Sequence, residues 1–125
     1  PAEFWQGVET SGYESSSRIT GVQDDACFWT ENQTGLKATL AIPGLRGQPA
    51  QALSVETASN TVSITAFGMV VWSCLLRGEV KPETAVFEAN DGPDMVPVVE
   101  CSVEKADTTE RWGGFIEQIG ENSIL

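Results

Sequence analysis

Apolar and polar residues alternate along this chain in short segments, and residues that favour turns separate the segments at intervals of about 8 to 12 positions. Alternate side chains of a β-strand point to opposite faces of its sheet, so each segment is predicted to be a strand with one buried face. Segment 36–42 is the clearest case, because every second residue is apolar until Pro43 and Gly44 end it. The pattern predicts an all-β, antiparallel β-sandwich.

Seven strands are predicted in this way, at residues 27–31, 36–42, 53–57, 61–66, 70–80, 85–89 and 95–104. Ser59 and Asn60 predict a tight hairpin turn between the third and fourth strands. Pro97 lacks a backbone N–H, which predicts an edge position or a bulge for the last strand. The inward-facing positions give a predicted core of Leu40, Ile42, Val55, Val62, Ile64, Leu75, Val99 and Val103.

Composition divides the chain into three parts. Residues 1–25 are rich in Ser, Gly and Glu and are predicted to be a polar N-terminal extension, whereas residues 26–118 are predicted to form the sandwich. The segment after Trp112 has a short helical pattern, which predicts a helical turn before a C-terminal tail at residues 119–125. A chain of 125 residues is expected to form one domain.

The charge of the chain and its cysteine content indicate which partners and which cellular compartment to expect. The chain has 18 acidic residues against 7 basic ones and no His, so nucleic acid is not an expected partner. No apolar run approaches the roughly 20 residues that span a bilayer. Cys27, Cys74 and Cys101 are odd in number for a disulfide framework, which favours the cytoplasm or another reducing compartment.

The sequence offers no set of residues that would catalyse a reaction or bind a cofactor. A chain without His lacks the commonest general base, and nothing near the cysteines in sequence would activate a thiol. The turn at residues 90–94, "NDGPD", lacks the alternating acidic positions of a calcium loop. We therefore predict no catalytic residue, no metal site and no cofactor, and a protein that acts by binding.

Several motifs taken together resemble the CS domain, which is the sandwich of NudC-type proteins and of small cochaperones of the ninety-kilodalton heat-shock chaperone. The resemblance runs over about residues 26–116, through "FWTENQTGLKATLAIPG", "LSVETASNTVSITA", "LLRGEVKPETAVFEANDG" and "VECSVEKADTTERW". The residues that match the family in type and spacing are Trp29, Gly78, Glu79, Pro82, Glu83, Thr84, Glu104, Lys105 and Trp112.

The resemblance implies a CS-domain or alpha-crystallin-like sandwich that works as a non-catalytic protein–protein interaction module, adaptor or cochaperone-like. Its partner would be a chaperone, a client or a multisubunit complex. The resemblance also implies that Trp112 folds back over one end of the sandwich. Two features depart from the family pattern: Phe87 stands where the family usually has Trp, and the Trp-Pro motif and acidic tail of the cochaperone branch are absent from the sequence.

A second interpretation is a peripheral, soluble-side subunit of a large organellar membrane complex, for example a photosystem, docked through the sandwich and the N-terminal arm. The chain begins at Pro1, which fits removal of a transit peptide in the plastid stroma but fits an arbitrary starting point as well. Phe4, Trp5 and Tyr13 are the large aromatic residues of the extension and are predicted to contact the partner. The alternative is that the arm folds back over an exposed edge strand.

Overall fold

The computed structural model describes residues 10–14, 27–121 and 123–124. Within these ranges the chain forms β-strands and four short 3-10 turns, two of which lie between the third and fourth strands, and it forms no α-helix. No helix in the described part of the chain is long and apolar enough to cross a membrane. The strands are β1 (Thr10–Glu14), β2 (Cys27–Glu31), β3 (Gly35–Ala41), β4 (Leu53–Thr57), β5 (Thr61–Ala66), β6 (Met69–Leu76), β7 (Val86–Asp91), β8 (Pro97–Glu104) and β9 (Ile116–Ile119).

The strands form two antiparallel sheets that pack face to face. The first sheet has the order β1-β2-β3-β8-β7, and the second has the order β4-β5-β6-β9. At one end, a bridge between Val80 and Lys105 joins segments that follow β6 and β8. At the opposite end, the Ala50 N–H donates to Asp91 Oδ1 at 2.8 Å and connects the start of β4 to the end of β7. The two antiparallel sheets confirm the predicted all-β sandwich architecture.

The core lies between the sheets, and the alternating pattern identifies most of it. Of the eight predicted core residues, Val55 is half-buried on the edge strand β4, and Leu75 is 36% exposed. The prediction for Leu75 is wrong because Trp72, Cys74 and Leu76 face inward along β6, so the residue between the last two faces out. The other six are buried: Leu40, Ile42, Val62, Ile64, Val99 and Val103.

The predicted N-terminal extension contains a strand of the first sheet. β1 pairs with β2 along its whole length, from Thr10 opposite Glu31 to Glu14 opposite Cys27. The sequence of β1, "TSGYE", has no apolar alternation, so periodicity does not predict it. With β1 and β9, the described residues form nine strands, and the predicted count of seven is wrong.

The helical turn predicted after Trp112 is a strand. Ile116 and Ile119 are both buried and three residues apart, a spacing that also fits a helix. The register between β9 and β6 shifts between Leu75 and Leu76, and this irregularity allows both isoleucines to face the core. The prediction for Pro97 is wrong too, since it begins β8, a central strand between β3 and β7. The first residue of a strand tolerates the missing N–H.

Candidate functional site

Two of the residues that carry the resemblance to the CS domain meet at one end of the sandwich. The half-buried Trp112 packs against the core, and its indole lies over Gly78. A Cβ added to Gly78 would lie 2.6 Å from Trp112 Nε1, so only glycine leaves room for the ring. Trp112 thus covers this end of the sandwich, as the resemblance implies.

A buried ion pair lies next to Trp112. Lys105 Nζ lies 2.6 Å from Glu31 Oε2, and both side chains have 0% exposure to solvent. Lys105 Nζ also donates to the carbonyl oxygen of Glu110 at 2.9 Å. Glu31 accepts hydrogen bonds from the N–H groups of Trp112 at 2.7 Å and Gly113 at 2.9 Å. The pair therefore fastens the loop that carries Trp112 to the first sheet.

The charges of this buried pair are compensated by these hydrogen bonds. Burial alone would raise the pKa of Glu31, but the hydrogen bonds from Lys105, Trp112 and Gly113 and the positive charge of Lys105 outweigh it. They hold the pKa of Glu31 below its ordinary value of 4.5. The folded protein consequently favours the ionised carboxylate.

This lowered pKa makes the protein sensitive to acid. A carboxyl group with a lower pKa in the folded state contributes its full stabilisation above the unfolded pKa and loses it as the pH falls through the folded pKa. We therefore expect the free energy of unfolding to decrease as the pH falls from about 5 to about 2. Urea titrations followed by tryptophan fluorescence measure it. Glu31→Gln should be less stable at neutral pH and decline less steeply with acid; an equally steep decline in Glu31→Gln would contradict this role.

The remaining motif residues of this end occupy turns and exposed positions. Pro82 and Glu83 lie in an exposed 3-10 turn, in which the Thr84 hydroxyl donates to the Lys81 carbonyl oxygen at 2.7 Å and accepts from the Glu104 N–H at 3.0 Å. These bonds tie the turn to β8. Glu79 is exposed, and its carbonyl oxygen accepts from the Ala106 N–H. The Glu104 side chain is also exposed.

Trp29 is buried under β1. A Cβ on Gly12 would lie 2.9 Å from Trp29 Cζ2, so the missing side chain of Gly12 makes room for the indole. The carboxylate of Glu14 accepts hydrogen bonds from the N–H groups of Phe115 and Ile116 at 3.1 and 2.6 Å, and from Arg77 Nε at 3.3 Å. Gly12 and Glu14 thus bind β1 to the sandwich at two specific points. The polar sequence of β1 does not predict either contact.

Of the three aromatic residues that are predicted to contact a partner, the structure describes Tyr13. Tyr13 lies on the outer face of β1 with 66% of its surface exposed, and its ring centroid is 4.8 Å from that of Phe28 on β2. Phe4 and Trp5 lie outside the described residues. The role of these three residues as partner contacts stays a prediction.

The cysteines are buried and reduced. Burial raises the pKa of Cys27, and it raises the pKa of Cys74 and of Cys101 to about 12. Thiols of this kind stay protonated at neutral pH, and the protonated form is a poor nucleophile. Within residues 10–14, 27–121 and 123–124, no group of three His, Cys, Asp or Glu residues is arranged to bind a metal ion.

The turn between β5 and β6 presents apolar residues to solvent. Phe67 has φ of 53° and Gly68 has φ of 78°, which places both in the left-handed region. Phe67 is 75% exposed, Met69 68% and Val70 57%. We call residues 67–70 the hairpin tip. Sequence alternation does not predict it, because a Phe-Gly turn is not among the usual hairpin signals.

A second exposed apolar residue in the left-handed region lies at the same end of the sandwich. Met95, in the turn between β7 and β8, has φ of 63° and is 71% exposed. Its carbonyl oxygen accepts from the Gly47 N–H at 2.8 Å, and the neighbouring Asp94 carbonyl oxygen accepts from Arg46. Phe67, Asp94 and Met95 are the described non-glycine residues with positive φ, and all three lie at the end opposite Trp112.

No family model matches this sequence, and no curated protein matches it. Among solved structures, the nuclear movement protein from E. cuniculi GB-M1 is similar, with a TM-score of 0.50 and 16% sequence identity. The similarity covers 73% of this chain and 98% of that chain. At this level of identity it concerns the fold alone.

Proposed function

We propose that this protein is a non-catalytic protein–protein interaction module of the CS-domain type, and that it binds its partner through the hairpin tip. The exposed and strained apolar residues of the tip carry the proposal. The fold similarity to a nuclear movement protein and the packing of Trp112 over Gly78 support the CS-type assignment. The raised pKa values of the buried thiols support a role without nucleophilic catalysis.

Phe67 adopts an unfavourable backbone conformation. A two-residue turn with positive φ at both positions favours Asn or Asp followed by Gly, and a bulky residue in the left-handed region costs about 1 to 2 kcal/mol. Phe67 gains little packing inside its own chain, because most of its ring is exposed. Strained residues without an internal gain are concentrated at functional sites, and contiguous exposed apolar residues mark interaction surfaces.

The charge of the chain indicates the chemistry of the partner. The net charge is −11, and the turn region beside Met95 contains Asp91 and Asp94 against one basic residue, Arg46. A surface of protruding apolar side chains with acidic neighbours complements a concave apolar pocket with a basic rim. We therefore expect a protein partner that presents Lys or Arg residues around a hydrophobic pocket. An adaptor or cochaperone-like module and a peripheral subunit of a larger complex would both use such a surface.

Substituting Phe67 separates a docking role from a structural one. Phe67→Asn converts the turn to Asn-Gly, which suits this backbone, so we expect unchanged or slightly higher stability, by up to about 1 kcal/mol. Capture of partner proteins by the full tagged chain, from extracts of the cells that make it, should fall at least about tenfold, which corresponds to about 1.4 kcal/mol. Quantitative mass spectrometry of the captured proteins and a urea titration of each variant measure the two effects.

Val86→Asn is the matched control, since Val86 is an apolar residue on β7 with 66% exposure and lies away from the hairpin tip. This variant should capture the same proteins as the unmodified chain. Lower stability of Phe67→Asn with unchanged capture would show that the tip has a structural role and would refute the docking surface. The identity of the lost proteins decides between the two interpretations: chaperones and clients indicate an adaptor, and subunits of one complex indicate a peripheral subunit.

A further inference from the structure

Strand β1 is joined to the sandwich by an unusually long connection. Residues 15–26 separate Glu14 from Cys27, although these two residues pair directly in the sheet. Hairpin connections usually have two to five residues. Twelve residues reach up to about 40 Å when extended, whereas paired residues of neighbouring strands lie only about 5 Å apart. The connection is therefore long enough to deliver β1 to another molecule.

The contacts that hold β1 do not depend on this connection. They consist of the backbone ladder to β2, the fit of Gly12 against Trp29, and the hydrogen bonds of Glu14 with Phe115, Ile116 and Arg77. Every group that β1 contacts in this way belongs to the part of the chain from β2 onward. A β1 strand from a second copy would make the same contacts with the same geometry.

The edge of β2 needs an occupant of specific chemistry. Without β1, Trp29 would lose its cover, and the buried N–H groups of Phe115 and Ile116 would lose their charged acceptor, which destabilises the fold. A replacement strand needs glycine opposite Trp29 and a carboxylate two residues later. β1 of a second copy of this chain meets both requirements.

We propose that the β2 edge is a strand-acceptor site that β1 of a second copy fills, giving a strand-exchanged dimer. Reciprocal exchange closes a two-fold dimer, so each copy donates one strand and accepts one. Because the contacts are the same within and between chains, the effective concentration set by the connection, on the order of 1 mM, governs the balance between monomer and dimer. The exchanged form is thus favoured at high local concentration, and this inference does not depend on the hairpin tip.

Disulfide trapping between two different variants tests the exchange. Ser11 pairs with Thr30 across β1 and β2 on the outer face, so cysteines at these positions suit a disulfide. Full-length Ser11→Cys and Thr30→Cys chains are mixed at about 0.5 mM each and oxidised, and mass spectrometry identifies the linked peptides. We expect a Ser11→Cys to Thr30→Cys link between chains, at least about tenfold above a mixture of Ser11→Cys with Glu100→Cys.

Two further variants complete the test. The Ser11→Cys/Thr30→Cys double variant at low concentration should form the link within one chain, which verifies the pairing. Deleting residues 17–24 leaves a four-residue connection that suits a hairpin, and the link between chains should then fall to the control level. The proposal is refuted if the mixed variants give no link above the control, whether or not the double variant closes its own, or if the link persists undiminished after the deletion.

Discussion

Lys105→Met is expected to lower the free energy of unfolding by about 3 to 5 kcal/mol. The substitution leaves the Glu31 carboxylate buried without its counter-ion, and the Glu110 carbonyl oxygen loses the ammonium donor as well. A methionine of similar length keeps most of the packing, so the effect reports the lost charge rather than a cavity. Urea denaturation at neutral pH, followed by tryptophan fluorescence, measures the change.

Two controls identify the cause of this loss. Lys81 and Glu104 form an exposed pair at 3.9 Å, so Lys81→Met should change stability by less than about 1 kcal/mol. In the double variant Glu31→Gln/Lys105→Met no unpaired charge remains, and its total cost should be smaller than the sum of the two single costs. Additive costs in the double variant would mean that the two side chains stabilise the fold independently, which contradicts the assignment of a coupled buried pair.

Gly78→Ala is expected to cost about 1 to 3 kcal/mol, because the new methyl group would overlap the indole of Trp112 and displace it. Trp112→Ala is expected to cost about 2 to 3 kcal/mol through lost burial of a ring that is only half-buried. Thermal and urea unfolding of both variants provide the free energies. A blue or red shift of tryptophan emission in Gly78→Ala would report the displaced ring.

The two substitutions are expected to be coupled. Once Trp112 has been replaced by Ala, the space over Gly78 is open, so adding Gly78→Ala should cost less than about 1 kcal/mol more. The double variant should therefore lose less free energy of unfolding than the sum of the two single losses. A cost of Gly78→Ala that is the same with and without the tryptophan would show that Gly78 is required by its backbone and not by the ring.

The alternating pattern was sufficient to predict the strands that contribute regularly to the core. It predicts the hairpin of β4 and β5, which the register from Leu53 opposite Ala66 to Thr57 opposite Val62 confirms. It fails where polar groups fix a strand: β1 is held by Glu14 and by the absent side chain of Gly12, and neither contact has a periodic signature. It also fails at β9, where a register shift brings residues three apart to one face.

The sequence identifies some, but not all, of the residues that form the site at the Trp112 end. Lys105 and Trp112 are among the residues that match the CS domain in type and spacing, whereas Glu31 lies in one of the similar segments but is not among those residues. Glu31 shares an inward face with Cys27 and Trp29 in the alternation of β2, which places it inside the sandwich. A glutamate at the end of a strand is nevertheless expected in solvent unless its partner is known, and Lys105 lies 74 positions further along the chain. Only the folded structure brings the two together.

The hydrogen bonds of Glu14 also determine how the sandwich would respond to mechanical tension. They join β1, the first described strand, to the beginning of β9, the last one, and both strands lie at sheet edges on the same side. A pulling force applied through the two ends of the chain would load this carboxylate contact before it loads the interior. β1 begins at the Trp112 end, where Thr10 pairs with Glu31, whereas the chain after β9 runs toward the opposite end, so such a force would load both edge strands along their axes and shear them. The domain is therefore expected to resist a force applied through its ends until the contacts of the two edge strands break together.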